Sequence, residues 1–133
     1  MIRTGEGAGI TGVIMNQQTV DIFNPKTIRA TMGSIFRVPF VYVPELSTVL
    51  TQMHERGIHT YAAHLKGQKY YDSFSFREPT AFLIGNEGNG LTKEISDQAG
   101  QYLKIPMEGK VESLNASIAA ALLMYEAHRQ RNL

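Results

Sequence analysis

The chain has no cysteine and no tryptophan among its 133 residues. Without thiols, disulfides, thiolate metal sites and cysteine nucleophiles are excluded. Charge of one sign is also missing. Thirteen Lys and Arg face twelve Asp and Glu, a net charge of +1, so there is neither a polybasic arm nor an acidic tail. The longest apolar run, Ile118 to Tyr125, is far shorter than the ~20 residues that cross a bilayer. Met1–Gly7 lacks the apolar stretch of a signal peptide. A soluble, cytoplasmic protein is expected. Hydrophobic residues are 43% and charged residues 19%, an ordinary globular balance. No repeat, low-complexity tract or linker divides the chain, so one domain spanning 1–133 is expected.

Short β-rich runs alternate with helical patterns. Strands are predicted at 10–15, 40–43, 58–62, 80–84 and 102–105. Asn24-Pro25 supplies an N-cap and an N1 proline for a helix through about Phe36. Pro44-Glu45 opens another that runs to Arg56 and stops at Gly57. A helix starts near Leu91, and a longer one covers 114–129. This alternation predicts an α/β fold, a mainly parallel sheet with helices on both faces. Ligands in such sheets bind beyond the carboxyl ends of the strands, which brings forward the loops 62–67, 85–90 and 106–113. The last helix is apolar nearly all round, as a helix that is buried or shared with a second subunit would be. A homodimer is expected.

Several motifs lead nowhere. Gly85-Asn86-Glu87-Gly88-Asn89-Gly90 follows a strand and precedes a helix, but its glycines run GxxGxG instead of the dinucleotide order GxGxxG. Leu91-Thr92-Lys93 stands where a Walker loop needs Gly-Lys-Ser/Thr. His54, His59, His64 and His128 form no i,i+4 pair and have no carboxylate cluster at ligand spacing, so no metal is expected. No G-x-S-x-G elbow is present.

Two segments carry a specific resemblance. Phe82 to Leu91, FLIGNEGNGL, resembles the second signature of the SpoU-type (TrmH-like) RNA ribose 2′-O-methyltransferases of the SPOUT class. Ile105 to Ser117, IPMEGKVESLNAS, is similar to the third. They lie about twenty residues apart, as in that family. Asn24-Pro25-Lys26 followed by 29–39 resembles its middle segment. The likeness covers essentially the whole chain. It implies a C-terminal deep trefoil knot (the SPOUT α/β knot), S-adenosylmethionine as methyl donor, a ribose 2′-hydroxyl of rRNA or tRNA as acceptor, and a homodimer.

Residue by residue, the resemblance makes Gly85, Ile105 and Leu114 cofactor contacts. Leu83, Met107 and the turn Ala62-Ala63 line the pocket, and Gly88 and Gly90 allow close backbone approach. Ile105 and Leu114 would serve equally as core. Arg3 matches the first-motif arginine. Guanidinium stays protonated in proteins, which suits a clamp on phosphate or a developing alkoxide better than a general base. At a chain terminus, Arg3 could also be plain surface. Glu87, Ser113 and Asn115 match the polar active-site positions, and Ser113 and Asn115 also suit helix capping.

Only Met1 and Ile2 precede Arg3, so a chain lacking the family's first strand, its asparagine and an N-terminal RNA-recognition domain is expected. Gly5, Gly7 and Gly9 would each weaken a first helix by about 1 kcal/mol relative to alanine. These departures favour a second reading, a truncated non-catalytic cofactor- or RNA-binding dimer. Residues 1–77 carry +3, 78–112 carry −3 and the rest +1. An RNA backbone is therefore expected on the basic side, at Lys26, Arg29, Arg37, Lys66 and Lys69.

Overall fold

The structure, a computed structural model, describes residues 1–16, 23–85, 90–111 and 113–133. The chain forms two compact units, Met1–Leu46 and Ser47–Leu133.

The first unit opens with helix α1 (Ile2–Ala8). The glycines that should weaken it include its stop signal. Gly9 is left-handed (φ 80°), and its N–H and that of Ile10 donate to the Glu6 and Gly5 carbonyls, closing the helix as glycine C-caps do. Strands β1 (Val13–Met15) and β2 (Phe40–Tyr42) pair in parallel, Val13 opposite Phe40 and Met15 opposite Tyr42. Between them runs α2 (Pro25–Ala30), capped by the Asn24 Oδ1 accepting from Lys26 N–H at 2.9 Å. The predicted helix to Phe36 is cut short here. Met32 (φ 52°) and Gly33 (φ 89°) both turn left-handed, and a single 3-10 turn, Ser34–Phe36, follows. An α-helix cannot pass through two such residues. Met15 and Ile35 form the unit's core, packed by Ile2, Val13, Ile28 and Phe40.

The second unit holds α3 (Leu46–Glu55), β3 (His59–Ala63), β4 (Thr80–Leu83), α4 (Lys93–Gln98), β5 (Gln101–Leu103) and α5 (Ala116–Arg131). The strands are parallel in the order β4-β3-β5. The expected parallel pairing thus holds, in two separate sheets. Gly57 (φ 74°) ends α3 as the sequence predicts, Thr92 caps α4 through Ile95 N–H, and Asn115 caps α5. Tyr61, Phe76, Leu103 and Leu123 form the core. Phe76 stands edge-on to Tyr61 and Phe82 at 5.1 and 5.0 Å, the arrangement aromatic quadrupoles prefer. Burial pushes the Tyr61 phenol up from its ordinary pKa. Buried Gln130 ties α5 to the preceding chain: its Oε1 accepts from Phe76 N–H at 2.6 Å and its Nε2 donates to Phe74 O at 2.9 Å.

The chain after β3 straddles the end of β5. On one side His64 N–H donates to Leu103 O. On the other, Lys104 N–H donates to Lys69 O, and Tyr71 N–H donates to Lys104 O. Residues 103–104 are therefore held between the two limbs of loop 64–71. Gly67 closes that loop so tightly that a Cβ there would lie 2.9 Å from the Leu103 carbonyl carbon.

Candidate active site

The carboxyl ends of β3, β4 and β5 collect most of the predicted cofactor residues. Strand register sets Leu83, Ala62 and Tyr102 side by side across the sheet, with Ala63 opposite Leu103. Ala62 is fully buried, Leu83 half-buried and Ala63 exposed. Half-buried Ile105 and Met107 follow directly from β5, and half-buried Leu114 sits just before α5. The result is a rim of small and apolar groups where parallel sheets present ligand sites.

The glycines of the loop after β4 are needed for two different reasons. A Cβ on Gly85 would sit 2.4 Å from both Gly90 C and Leu91 N. The chain leaving β4 therefore folds back until backbone touches backbone. Gly90 has open space around it but a φ of +65°, a conformation costly for residues with a Cβ. Gly88 and Glu87 lie outside the described residues.

Asn115 caps α5, its Oδ1 accepting from Ser117 N–H at 2.9 Å and Ser117 Oγ–H at 2.7 Å. That capping leaves its amide nitrogen as the group able to donate elsewhere. Ser113 is exposed two residues earlier. Arg3 is exposed on α1 and belongs to the first unit, whereas the cofactor set belongs to the second.

Two features escaped the sequence. Arg37, a candidate RNA contact, is engaged by Glu6: its Nε and Nη2 both donate to that carboxylate, the latter at 2.8 Å, and Ser34 Oγ–H adds a third bond at 3.0 Å. The Arg37 hydrogen bond holds the Glu6 carboxyl below its usual range, and Glu6 in turn raises Arg37. A separation of 31 positions hides the pair from any local pattern. The second feature is a stack of His64 on Tyr102, centroids 4.5 Å apart and 14° from parallel. Lys66 N–H donates to His64 Nδ1 at 3.0 Å, and Tyr102 O–H donates to Asp97 at 3.0 Å. Among the described residues, no group of three or more His, Asp or Glu comes together as metal ligands.

The family model described as the SpoU rRNA methylase family matches residues 1–125. The chain belongs to this family. It is 34% identical over 132 residues to a TrmH family protein of Staphylococcus haemolyticus, covering 99% of this chain and 53% of that protein. The YacO relative from Bacillus subtilis is 33% identical with the same coverage. Among solved structures, the SpoU methyltransferase AviRb from Streptomyces viridochromogenes superposes with a TM-score of 0.90 at 34% identity, over 98% of this chain and 53% of that one. AviRb is also known in complex with AdoMet. The chain spans about half the length of the curated relatives it matches. This chain is an α/β protein, and its two signature segments run on from the parallel strands β4 and β5. No helix among the described residues is long and apolar enough to cross a membrane.

Proposed function

We propose that this chain transfers a methyl group from S-adenosylmethionine to a ribose 2′-hydroxyl of rRNA or tRNA, as a cytoplasmic homodimer. The observation that carries the reading is the gathering of Leu83, Ala62, Ala63, Ile105 and Met107 at the carboxyl ends of three parallel strands, beside a loop whose Gly85 meets Gly90 backbone to backbone. These residues fit the donor: flat apolar surface suits an adenine face, and loop backbone suits its ring nitrogens. Leu83, Ile105, Met107 and Leu114 would hold it, with Ala62 and Ala63 leaving room. The bound cofactor supplies a methyl carbon on a positive sulfur, open to displacement.

The protein's share is alignment and charge. The ribose oxygen must meet the methyl carbon in line while its proton passes to solvent water, and positioning supplies much of the rate. Arg3 stays protonated, clamps the RNA backbone and stabilises the alkoxide as it forms. Glu87 accepts a hydrogen bond from the acceptor nucleotide, and Ser113 and the Asn115 amide orient it. The clasp of loop 64–71 around Leu103–Lys104 supports the threading of a deep trefoil knot. The open face of α5, with Ile118 52%, Leu122 37% and Tyr125 46% exposed, supports the dimer. With Tyr71, Ala121 and Glu126 it lines a shallow groove open to solvent.

Calorimetric titration with S-adenosylmethionine and S-adenosylhomocysteine, paired with radiolabelled methyl transfer to rRNA and tRNA, tests this. Saturable binding of both and label recovered in 2′-O-methyl nucleosides are expected. Arg3→Ala should abolish transfer and leave cofactor affinity within a few fold. Retained transfer in that variant would remove Arg3 from the site, and a folded chain that binds neither cofactor would defeat the reading itself.

A further inference from the structure

We infer that loop 64–71 is a landing surface for single-stranded RNA, with Tyr70 as the base-stacking platform and Lys66 and Lys69 as phosphate contacts. This inference rests on the methyltransferase reading above and names the surface on which its substrate lies. The loop begins directly after Ala62-Ala63 and wraps Leu103–Lys104, so it borders the same strand ends that carry the candidate cofactor residues. It is not loosely hung. Three backbone hydrogen bonds grip Leu103–Lys104 from both sides, and Gly67 seats against Leu103 with no space for a side chain. The His64–Tyr102 stack adds a fourth tie. A surface fixed in this way binds without a large ordering penalty.

What the loop exposes suits a nucleic acid strand. Tyr70 is 49% exposed and Leu65 65% exposed, and Lys66 and Lys69 are exposed beside them. Among the described residues the Tyr70 ring packs on no other ring, and neither lysine has a carboxylate partner. No Asp or Glu occurs from Arg56 to Tyr71. The first acid beyond, Asp72, sits in the field of Arg129. An open aromatic flanked by unpaired cations is how sequence-tolerant single-strand binders work: bases stack on the ring while phosphates meet the charges. Duplex RNA hides its base faces, which excludes it as a partner for Tyr70. Arg37, by contrast, is committed to Glu6.

Fluorescence anisotropy of the whole chain with labelled oligo(U), and with an RNA duplex of equal length, tests the surface. Oligo(U) should bind better than duplex. Tyr70→Ala should weaken oligo(U) binding by about 5- to 150-fold, while Tyr70→Phe retains it. Lys66→Ala with Lys69→Ala should lower the slope of log affinity against log salt by about 1.4, at roughly 0.7 per single-strand phosphate. Cofactor affinity should stay within twofold throughout. Unchanged affinity and salt slope in variants that still bind S-adenosylmethionine would overturn the inference and leave the enzyme reading intact. So would a change of oligomeric state on sedimentation in place of a change in RNA binding, since the loop would then be a contact between copies. A wild-type chain that binds oligo(U) through Tyr70 but transfers no methyl group would overturn the enzyme reading and keep the surface.

Discussion

A methyl group at position 85 would have to share space with the peptide between Gly90 and Leu91, 2.4 Å away. Backbone cannot retreat as the tip of a flexible side chain can, so Gly85→Ala must spread the loop after β4. We expect a loss of about 1–3 kcal/mol, the usual range for overpacking, with cofactor affinity falling in parallel. Gly90→Ala should cost about 1–2 kcal/mol from its left-handed backbone alone, with affinity largely kept. Thermal denaturation and calorimetry on the two variants separate the cases. Both glycines stood out in the sequence as a ligand loop. That one of them is demanded by the protein's own backbone could not be read there, because close approach is a property of the folded path.

At the scale of elements, α1 is tied to the 3-10 turn Ser34–Phe36 and its neighbour Arg37 through Glu6. The Arg37 hydrogen bond keeps the Glu6 carboxyl below its ordinary value. A depressed carboxylate contributes stability above its unfolded pKa and loses it as pH falls through the folded one. Amide exchange in α1 should therefore speed up as the pH drops below the ordinary glutamate value of about 4.3. In Glu6→Gln the rate should be faster at neutral pH and lack this acid step. Hydrogen exchange across pH 3–7, corrected for intrinsic rates, reads both; an acid step that persists in Glu6→Gln would locate it elsewhere. The element boundaries tell a similar story. Asn24 and Asn115 announce helix starts by their chemistry and do cap them, and Thr92 caps α4 in the same way. The early end of α2 rests on Met32 at φ 52°, and nothing in methionine's propensities signals a left-handed turn.

At the scale of the whole molecule, the exposed apolar face of α5, with the open groove it lines, is the surface that the proposed homodimer would cover. In a two-fold dimer each α5 residue lies near the same residue of its partner or near a fixed counterpart. Leu122→Glu would place buried charges of one sign across that contact and should raise the dimer dissociation constant by about 100-fold or more. Sedimentation velocity over a concentration series checks it. A variant that sediments as wild type would move the interface off this face.

Composition and local pattern alone determined the α/β class, the parallel strands, most helix starts and the two signature segments that place the chain among the SpoU methylases. These are short-range properties: caps, periodicities and runs of turn residues act within a few positions. Only the tertiary structure decided which distant groups meet. It set Leu83 beside Ala62, closed Gly85 on Gly90, drew Arg37 to Glu6 and slid Leu103–Lys104 between the limbs of loop 64–71. Each of these contacts joins residues that are not neighbours along the chain, and most join segments far apart in it. The energy that selects them comes from burial and backbone pairing summed over a whole unit, which no single stretch of sequence contains.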